Sequence, residues 1–398
     1  MKKSILVAML LTMGLLVGCG AKENEETETY AQPKPIETQT QEQESETEAE
    51  PETEVIESEE VVAEDAVITE REVVDGKMQS YLTGEWKDEE VAKRRSMAVM
   101  MPNNKPAMPQ YGISAASIVY EAPVEGRMTR LMCFVEDYDD LDHIGPVRSS
   151  RDYYVYEAMA YDAIYCNWGL ARPFVEELIN SDRIDNISQA VAGIQKPAAE
   201  AFDRIDRSGY ATEFTGYLFI DGYEDAVERL GYETEYRDTF EQAFTFANDG
   251  HRAEYEDCDD ATMIIPGGKE TNKGGYSDAK SYFEYNEEDG LYYRYQFGGP
   301  HIDEMNGEQL TYSNVVFKIC HGEVREPADK DYLAFGVHGE GDAYVFTNGK
   351  VIKGTWTRTS DTAANMFYDE DGNEIIFNQG KTWICNIWKE YSEYIYFE

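Results

Sequence analysis

The sequence is poor in positively charged residues. It has 35 lysine and arginine residues against 79 aspartate and glutamate residues, and its formal net charge is −44. A protein that binds nucleic acid needs a positively charged surface for the phosphate backbone, so this balance argues against nucleic acid as a partner. The same balance argues against adhesion to anionic lipid by charge alone.

Cysteine and histidine are also scarce, with six and five residues. The cysteines that follow Cys19 are odd in number and form no C-x-x-C pair, so we expect neither a disulfide framework nor a structural zinc site. No serine or cysteine has the flanking residues of a nucleophile elbow. The sequence therefore predicts no metal ion and no cofactor.

An apolar run long enough to span a bilayer is missing from the N-terminus. The segment MKKSILVAMLLTMGLLVGCG has basic residues, a short apolar run and a small residue before Cys19, which is typical of a secretory signal peptide. Its last residues, Leu16-Val17-Gly18-Cys19, fit the bacterial lipobox, in which the cysteine takes a diacylglycerol. We predict a lipoprotein signal peptide over residues 1–18, a lipidated Cys19 and a position on the outer face of the cell membrane. The alternative is an ordinary secretory signal that happens to contain a cysteine.

The next segment has almost no aromatic residues and consists mainly of Glu, Thr, Gln, Ser and Pro. Such a composition cannot bury enough apolar area to offset the entropy of ordering, and its like charges repel one another. We predict a disordered acidic linker over residues 19–94 that holds a folded body away from the membrane. An acidic interaction tail is the alternative.

Hydrophobic periodicity predicts an α+β fold with two domains. Strands and helices alternate over residues 95–242, which predicts a layered α/β domain. Residues 243–398 show alternating runs joined by turn residues, which predicts a mainly antiparallel β domain. The predicted strands include MAVMMPN, ASIVYEAPVE and RLMCFVED, the hairpins are FEYNEEDGLYYRYQF and AYVFTNGKVIKGTWTR, and the helices are RDYYVYEAMAYD, RPFVEELINS, KPAAEAFDRI and YEDAVERLGY.

Two arginines mark the start of a predicted helix in HIGPVRSSRDYYVYEAMAYD. Ser149 and Asp152 have the spacing of a capping box, and a helix N-terminus offers unpaired amide donors and partial positive charge. Arg148 and Arg151 would add two guanidinium groups at the same end. Together these groups predict a site for a carboxylate or a phosphate.

Acidic residues bear on this arginine site in two ways. Glu121 and Glu125 could position the two arginines toward a ligand. Alternatively Glu121, Glu125 or Glu157 could neutralise them in purely structural ion pairs. The sequence leaves both possibilities open.

A second candidate site is GGPHIDEMNGEQL, where His301 and Asp303 are two residues apart. Alternate residues of an extended segment lie on one side, and a histidine beside a carboxylate can act as a general base or bind a metal. The alternative is a loop histidine that is hydrogen-bonded to a local carbonyl.

The chain resembles the YerB-like lipoproteins, a bacterial family whose N- and C-terminal domains are both classed as domains of unknown function. The resemblance is carried by RSMAVMMPNNKPAMPQYGISAASIVYEAPVEGRMTRLMCFVED, HIGPVRSSRDYYVYEAMAYDAIYCNWG, FDRIDRS, FGGPHIDEMNGEQLTYSNVVF, GDAYVFTNGKVIKGTWTR and GKTWI. It implies the two-domain architecture and the lipid anchor, but it supplies no activity. The family usually carries a His-Asn pair after the FDRIDRS segment, and this chain reads GYATEFTGY there.

These observations lead to three functional hypotheses. The first is a lipid-anchored envelope protein that binds an anionic ligand, a cell-wall fragment or a partner protein in an arginine-lined pocket of the N-terminal domain. The second is an envelope hydrolase that uses His301 and Asp303, with His301 facing the arginines across a shared cleft. The third is a non-catalytic scaffold, which requires that internal ion pairs occupy both Arg148 and Arg151. Enzymatic activity is the less favoured expectation.

Overall fold

The computed structural model describes residues 66–269, 275–325 and 331–398. The predicted signal peptide, Cys19 and the predicted linker as far as residue 65 lie outside the described residues.

Most of the regular structure is β-strand. The first strands are β1 (Lys77–Gln79), β2 (Trp86–Asp88), β3 (Met97–Asn103), β4 (Ile118–Val124), β5 (Met128–Val135), β6 (His143–Ile144), β7 (Ile164–Asn167), β8 (Asn186–Ser188), β9 (Phe202–Arg204) and β10 (Gly216–Phe219). They are followed by β11 (Thr245–Phe246), β12 (Asp259–Asp260), β13 (Met263–Ile265), β14 (Tyr282–Asn286), β15 (Leu291–Gln296), β16 (Gly299–Pro300), β17 (Thr311–Tyr312) and β18 (Asn314–Cys320). The last are β19 (Gly322–Val324), β20 (Leu333–Phe335), β21 (Gly339–Thr347), β22 (Lys350–Arg358), β23 (Met366–Asp369), β24 (Ile376–Phe377), β25 (Thr382–Trp388) and β26 (Tyr396–Phe397).

Helices are few in the described residues. They are α1 (Glu89–Lys93), α2 (Asp152–Ala160), α3 (Arg172–Ile179) and α4 (Ile220–Leu230), together with short 3₁₀ turns. The protein is therefore mainly β. Among the described residues, no helix combines the length and apolar character needed to cross a membrane.

A mixed sheet of eleven strands forms the centre of the described structure, in the order β12-β22-β21-β18-β25-β4-β5-β3-β7-β8, with β23 pairing with β22. Alternate residues of its strands belong to two separate cores. Met100 of β3 and Met132 of β5 pack in one core, whereas Val99 and Cys133 pack in the other. Because both faces are covered, the central strands are apolar at nearly every position instead of alternating with polar residues.

Helices and a second sheet cover the two faces of the central sheet. Helices α2 and α3 contribute to the core on one face, for example through Val155 and Val175. Helix α4 contributes Val227 to the core on the opposite face. The same core receives Phe283 from a six-stranded sheet, in which β16-β15-β14-β13-β26 run in order and β17 pairs with β15.

The central sheet crosses the predicted domain boundary at residues 242 and 243. Its middle is the parallel pairing of β4 with β25, in which Ile118 faces Thr382 and Glu121 faces Cys385. Strand β18 in turn pairs with β25 in parallel along its whole length. The division into an α/β domain and a β domain stays a prediction.

The predicted linker 19–94 extends too far toward the C-terminus. Residues 66–94 contain β1, β2 and α1, and they bury Ile68, Met78 and Leu82. The amide of Ile68 also donates to the carbonyl of Phe246. This segment carries enough apolar side chains to pack onto the folded body. Its acidic composition, which predicts disorder, does not reflect these few buried side chains.

Most local predictions are confirmed, and one helix is wrong. The predicted hairpins correspond to β14–β15 and β21–β22, and Asn348 and Gly349 of the second turn both have positive φ, as a tight hairpin turn requires. The segment KPAAEAFDRI forms a 3₁₀ turn over Ala199–Ala201 and then strand β9. Phe202 of this segment is buried and pairs with Leu218 of β10, so tertiary packing overrides its helical periodicity.

Candidate functional site

The loop before α2 holds the two arginines as predicted, but its capping differs. Helix α2 begins at Asp152, its N-cap residue is Arg151, and no side chain caps it. The predicted capping box is therefore wrong. The Ser149 hydroxyl donates to the carbonyl of Trp168, and Asp152 pairs with Arg325 instead of with the loop.

Arg151 forms a two-pronged ion pair with Glu125. Its Nε donates to Glu125 Oε1 at 2.8 Å and its Nη2 donates to the second carboxylate oxygen. The third guanidinium nitrogen donates to the carbonyl of Ser150 at 2.7 Å. Only 8% of the Arg151 side chain is exposed. The prediction that Glu125 positions an arginine agrees with this geometry, which is also what a structural ion pair requires.

Arg148 lies nearer to solvent and pairs with an exposed glutamate. Its Nη2 donates to Glu213 Oε2 at 2.9 Å, with 23% of the Arg148 side chain and 53% of the Glu213 side chain exposed. The Arg148 Nε is buried and has no hydrogen-bond partner among the described residues. Exposed ion pairs of this kind contribute little to stability, about 0–1 kcal/mol. Glu213 can therefore be displaced at low cost.

A third arginine, Arg130 of β5, joins the other two, although it is not among the predicted site residues. Its side chain lies on the α2 side of the central sheet, where its Nη1 donates to the carbonyl of Ser149. Arg130 is 7% exposed, and in the described part of the chain no carboxylate pairs with it. We call Arg130, Arg148 and Arg151 the arginine cluster.

The charged form of Arg130 is disfavoured by its surroundings unless a negative charge lies nearby. Burial first, and then the positive charges of Arg151 and Arg148, lower the pKa of Arg130 from its usual value. A lowered pKa of a guanidinium means that its surroundings disfavour the charged form. The cluster therefore has an excess of positive charge in a chain that is strongly acidic overall.

Glu121 belongs to a different site from the arginine cluster. It is fully buried and accepts hydrogen bonds from Arg294 Nη2 at 2.9 Å and from Trp383 Nε1 at 3.0 Å. Asn103 and Thr129 donate to its other carboxylate oxygen. The prediction that Glu121 positions Arg148 and Arg151 does not agree with these contacts. Glu157 also does not pair with the two arginines, because it forms an ion pair with Lys318 at 2.7 Å.

His301 is an interior residue with both ring nitrogens occupied. Arg294 Nε donates to His301 Nδ1 at 3.2 Å, so the proton of the neutral ring is on Nε2, which contacts Gln110 Oε1 at 2.7 Å. Burial and the charge of Arg294 hold the pKa of His301 well below its usual value. A histidine whose lone pair already accepts from an arginine cannot take a proton from a substrate.

Asp303 does not pair with His301. Its carboxylate accepts from the amides of Gly112 at 2.9 Å and Ser114 at 2.7 Å, and also from the amide of Met305. It is fully buried and joins two backbone segments, the 112–114 turn and its own loop. The hydrolase hypothesis therefore receives no support from the geometry of His301 and Asp303.

The structure brings together only some of the predicted residues. Arg148, Arg151 and Glu125 lie around one loop, whereas Glu121 and His301 share Arg294 as a partner. None of the predicted residues lines any of five cavities on the described part of the chain, which range from about 70 to 760 Å³. In those same residues, no three His, Cys, Asp or Glu side chains are grouped closely enough to hold a metal ion.

The segments that build this mainly β body match the two models of one protein family. Residues 82–233 match the model "Protein of unknown function (DUF3048) N-terminal domain", and residues 273–384 match the corresponding C-terminal domain. The chain belongs to this YerB-like family, as the resemblance implied.

One relative and one solved structure are similar to the chain. The candidate lipoprotein YerB of Bacillus subtilis (strain 168) is 26% identical over 316 residues, which cover 77% of this chain and 86% of YerB. The crystal structure of the Bacillus subtilis YerB protein superposes with a TM-score of 0.64 at 21% sequence identity, and the match covers 80% of this chain and 99% of that chain. The structural match supports the mainly β fold, whereas the layered α/β arrangement of the N-terminal part stays a prediction.

Proposed function

We propose that the protein is a lipid-anchored envelope protein that binds an oxyanion, a carboxylate or a phosphate of an envelope component, at the arginine cluster. The observation that carries this proposal is Arg130, a buried guanidinium without a carboxylate partner in the described residues. Burying an uncompensated charge is expensive, and an added oxyanion would offset that cost.

The cluster offers donors of different accessibility to such an anion. Arg148 is the most exposed member, and its buried Nε lacks a partner in the part of the chain that the structure describes. Arg151 stays paired with Glu125 and supports the loop. In this proposal the oxyanion displaces Glu213 from Arg148 and approaches Arg130 from the same side, at a surface site instead of a deep pocket.

An anion titration of thermal stability tests this proposal. At constant ionic strength, inorganic phosphate and succinate should raise the melting temperature of the wild-type body, on the order of 2 °C when the site is well occupied. Arg130→Met should abolish this rise and should melt no lower than wild type without anion, since it removes a buried charge that Arg148 and Arg151 repel. Glu213→Gln should strengthen the response because it removes the competing carboxylate.

Arg229→Gln is the matched control, because it removes an arginine that pairs with Glu200 on the surface. Its response to both anions should equal that of wild type. An unchanged anion response in Arg130→Met would place binding elsewhere and would end the proposal. A large loss of melting temperature in Arg130→Met without anion, with no anion response in wild type, would instead favour the scaffold.

The scaffold is a second candidate because internal ion pairs already occupy both predicted arginines. Arg151 pairs with Glu125 and Arg148 pairs with Glu213, which is the arrangement that a scaffold requires. The scaffold hypothesis, however, gives no reason for burying Arg130 without a carboxylate partner among the described residues.

The membrane anchor rests on Cys19 and on the similarity to a candidate lipoprotein. A lipidated cysteine would hold the body at the outer face of the membrane, since each buried methylene contributes about 0.8 kcal/mol. Cys19→Ala should move the protein from the membrane fraction into the medium or leave it unprocessed. Cys258→Ala, at a half-buried position of the body, should stay in the membrane fraction. Detergent partitioning of Cys19→Ala that equals wild type would contradict the anchor.

A further inference from the structure

The largest of these five cavities has no role in the anion proposal. It is a cleft of about 760 Å³ beside α4, within the size range of small-molecule sites. Helix α4 and the segment after it form one side, and α1 and the residues after β5 form the other. The lining consists of Glu90, Arg94, Tyr138, Tyr223, Glu224, Val227, Glu228, Gly231, Tyr232, Thr234 and Glu235.

Negative charge in this cleft is largely uncompensated. Glu224, Glu228 and Glu235 form no ion pair in the residues that the structure describes. Of the four glutamates in the lining, Glu90 pairs with Arg94 at 3.6 Å. Arg94 also pairs with Asp139 at 2.6 Å and lies over the ring of Tyr138, so it is already occupied. Glu224 and Glu228 are four residues apart on α4, where like charges repel each other.

Two buried tyrosines provide a second feature that points to a ligand. Tyr138 and Tyr223 are 6% and 1% exposed and pack edge to face, and both line the cleft. Neither hydroxyl has a hydrogen-bond partner among the described residues, whereas Tyr232 donates to the carbonyl of Asn186. Burial raises the pKa of Tyr138 to about 12. Because its hydroxyl oxygen has no partner in the described residues, it is free to accept a hydrogen bond from a cation.

The arrangement of the lining residues favours an organic cation over a metal ion as the ligand. The carboxylates do not converge on one point, since no group of three acidic side chains in the described ranges could hold a metal ion. Separate carboxylates along an aromatic wall instead fit several N–H groups joined by apolar stems, which would pack on Tyr223 and Val227.

We propose that this cleft binds a flexible organic cation with two or more ammonium groups, a polyamine or a lysine-rich peptide. The ammonium groups would pair with Glu224, Glu228 and Glu235, and the Tyr138 hydroxyl would accept from one of them. The cleft shares no lining residue with the arginine cluster. It would bind a cation where the arginine cluster would bind an anion, so each proposal can fail without the other.

Isothermal titration with spermidine and with a tri-lysine peptide, at one fixed ionic strength, tests the site. The double variant Glu224→Gln/Glu228→Gln should weaken binding about fivefold or more, since each exposed ion pair contributes up to about 1 kcal/mol. The matched control is Asp221→Asn/Asp225→Asn, which makes the same charge change at exposed positions of α4 that do not line the cleft. It should change affinity less than twofold.

Tyr138→Phe provides a second readout, since it removes only the hydroxyl and should weaken binding without lowering the melting temperature. Stronger binding of spermidine identifies a polyamine as the source of the cation, and stronger binding of the peptide identifies lysine side chains. Equal losses in the two double variants would reveal unspecific attraction to an acidic surface and overturn the proposal. Absence of heat with both probes, or displacement of the bound probe by calcium at equal ionic strength, would overturn it as well.

Discussion

Arg294→Met should lower the free energy of unfolding by about 3–5 kcal/mol, because it leaves a buried carboxylate without its cation. Arg294 is fully buried, pairs with Glu121 at 2.9 Å and lies over Trp383 at 3.8 Å. The pair joins β15 of the six-stranded sheet to β4 of the central sheet, 173 residues apart in sequence. Loss of the guanidinium should therefore weaken the contact between the two sheets.

A double-mutant cycle separates the stranded charge from the lost packing. Glu121→Gln combined with Arg294→Met removes both charges, and the double variant should recover part of the stability that Arg294→Met loses. Urea unfolding of the four proteins gives the coupling energy. A loss below about 1 kcal/mol in Arg294→Met, or a double variant that equals the sum of the singles, would show that this pair does not hold the sheets together.

Glu136→Gln should remove a pH-dependent loss of stability. Burial raises the pKa of Glu136 from 4.5 to about 7, and hydrogen bonds from Ser117 and Ser80 oppose this shift in part. Between these two pKa values the folded protein keeps a proton that the unfolded chain has released. Raising the pH from 4.5 through 7 therefore lowers the free energy of unfolding, by about 3 kcal/mol in total.

Comparing wild type with the Glu136→Gln variant isolates this effect from the general repulsion of an acidic protein. Stability of the two proteins should differ little below about pH 4.5, and the variant should become the more stable one as the pH rises to about 8. Asp140→Asn, at an exposed position of the same loop, should follow wild type across the range. Parallel curves for Glu136→Gln and wild type would contradict the raised pKa.

Local patterns in the sequence predict individual elements well and long-range partners poorly. The Asn348-Gly349 turn predicts its hairpin because the turn geometry depends on these two residues alone. No local pattern indicates that β4 pairs with β25, since that pairing joins segments far apart in the chain, such as Glu121 and Cys385. The predicted helix at KPAAEAFDRI fails for a related reason, because the burial of Phe202 against β10 decides its conformation.

The candidate site shows the same limit. Helical periodicity places Arg148 and Arg151 at the start of α2, but the assignment of Glu121 to them fails because its partner comes from β15. Arg130 could have been found from sequence. It stands in a strand whose next same-face positions, Met132 and Phe134, are apolar and belong to the core, so the alternation of the strand places Arg130 on the core-facing side.

Anomalous diffraction from crystals soaked in selenate tests whether the arginine cluster binds an oxyanion, because the selenium signal locates the bound ion. We expect a selenium peak at the arginine cluster, placed so that selenate oxygens lie within hydrogen-bond distance of the guanidinium groups of Arg130 and Arg148, with Glu213 turned away from Arg148. In crystals of Arg130→Met this peak should be lost. Wild-type crystals without a peak at the arginine cluster, and with Glu213 still paired to Arg148, would contradict anion binding at this cluster.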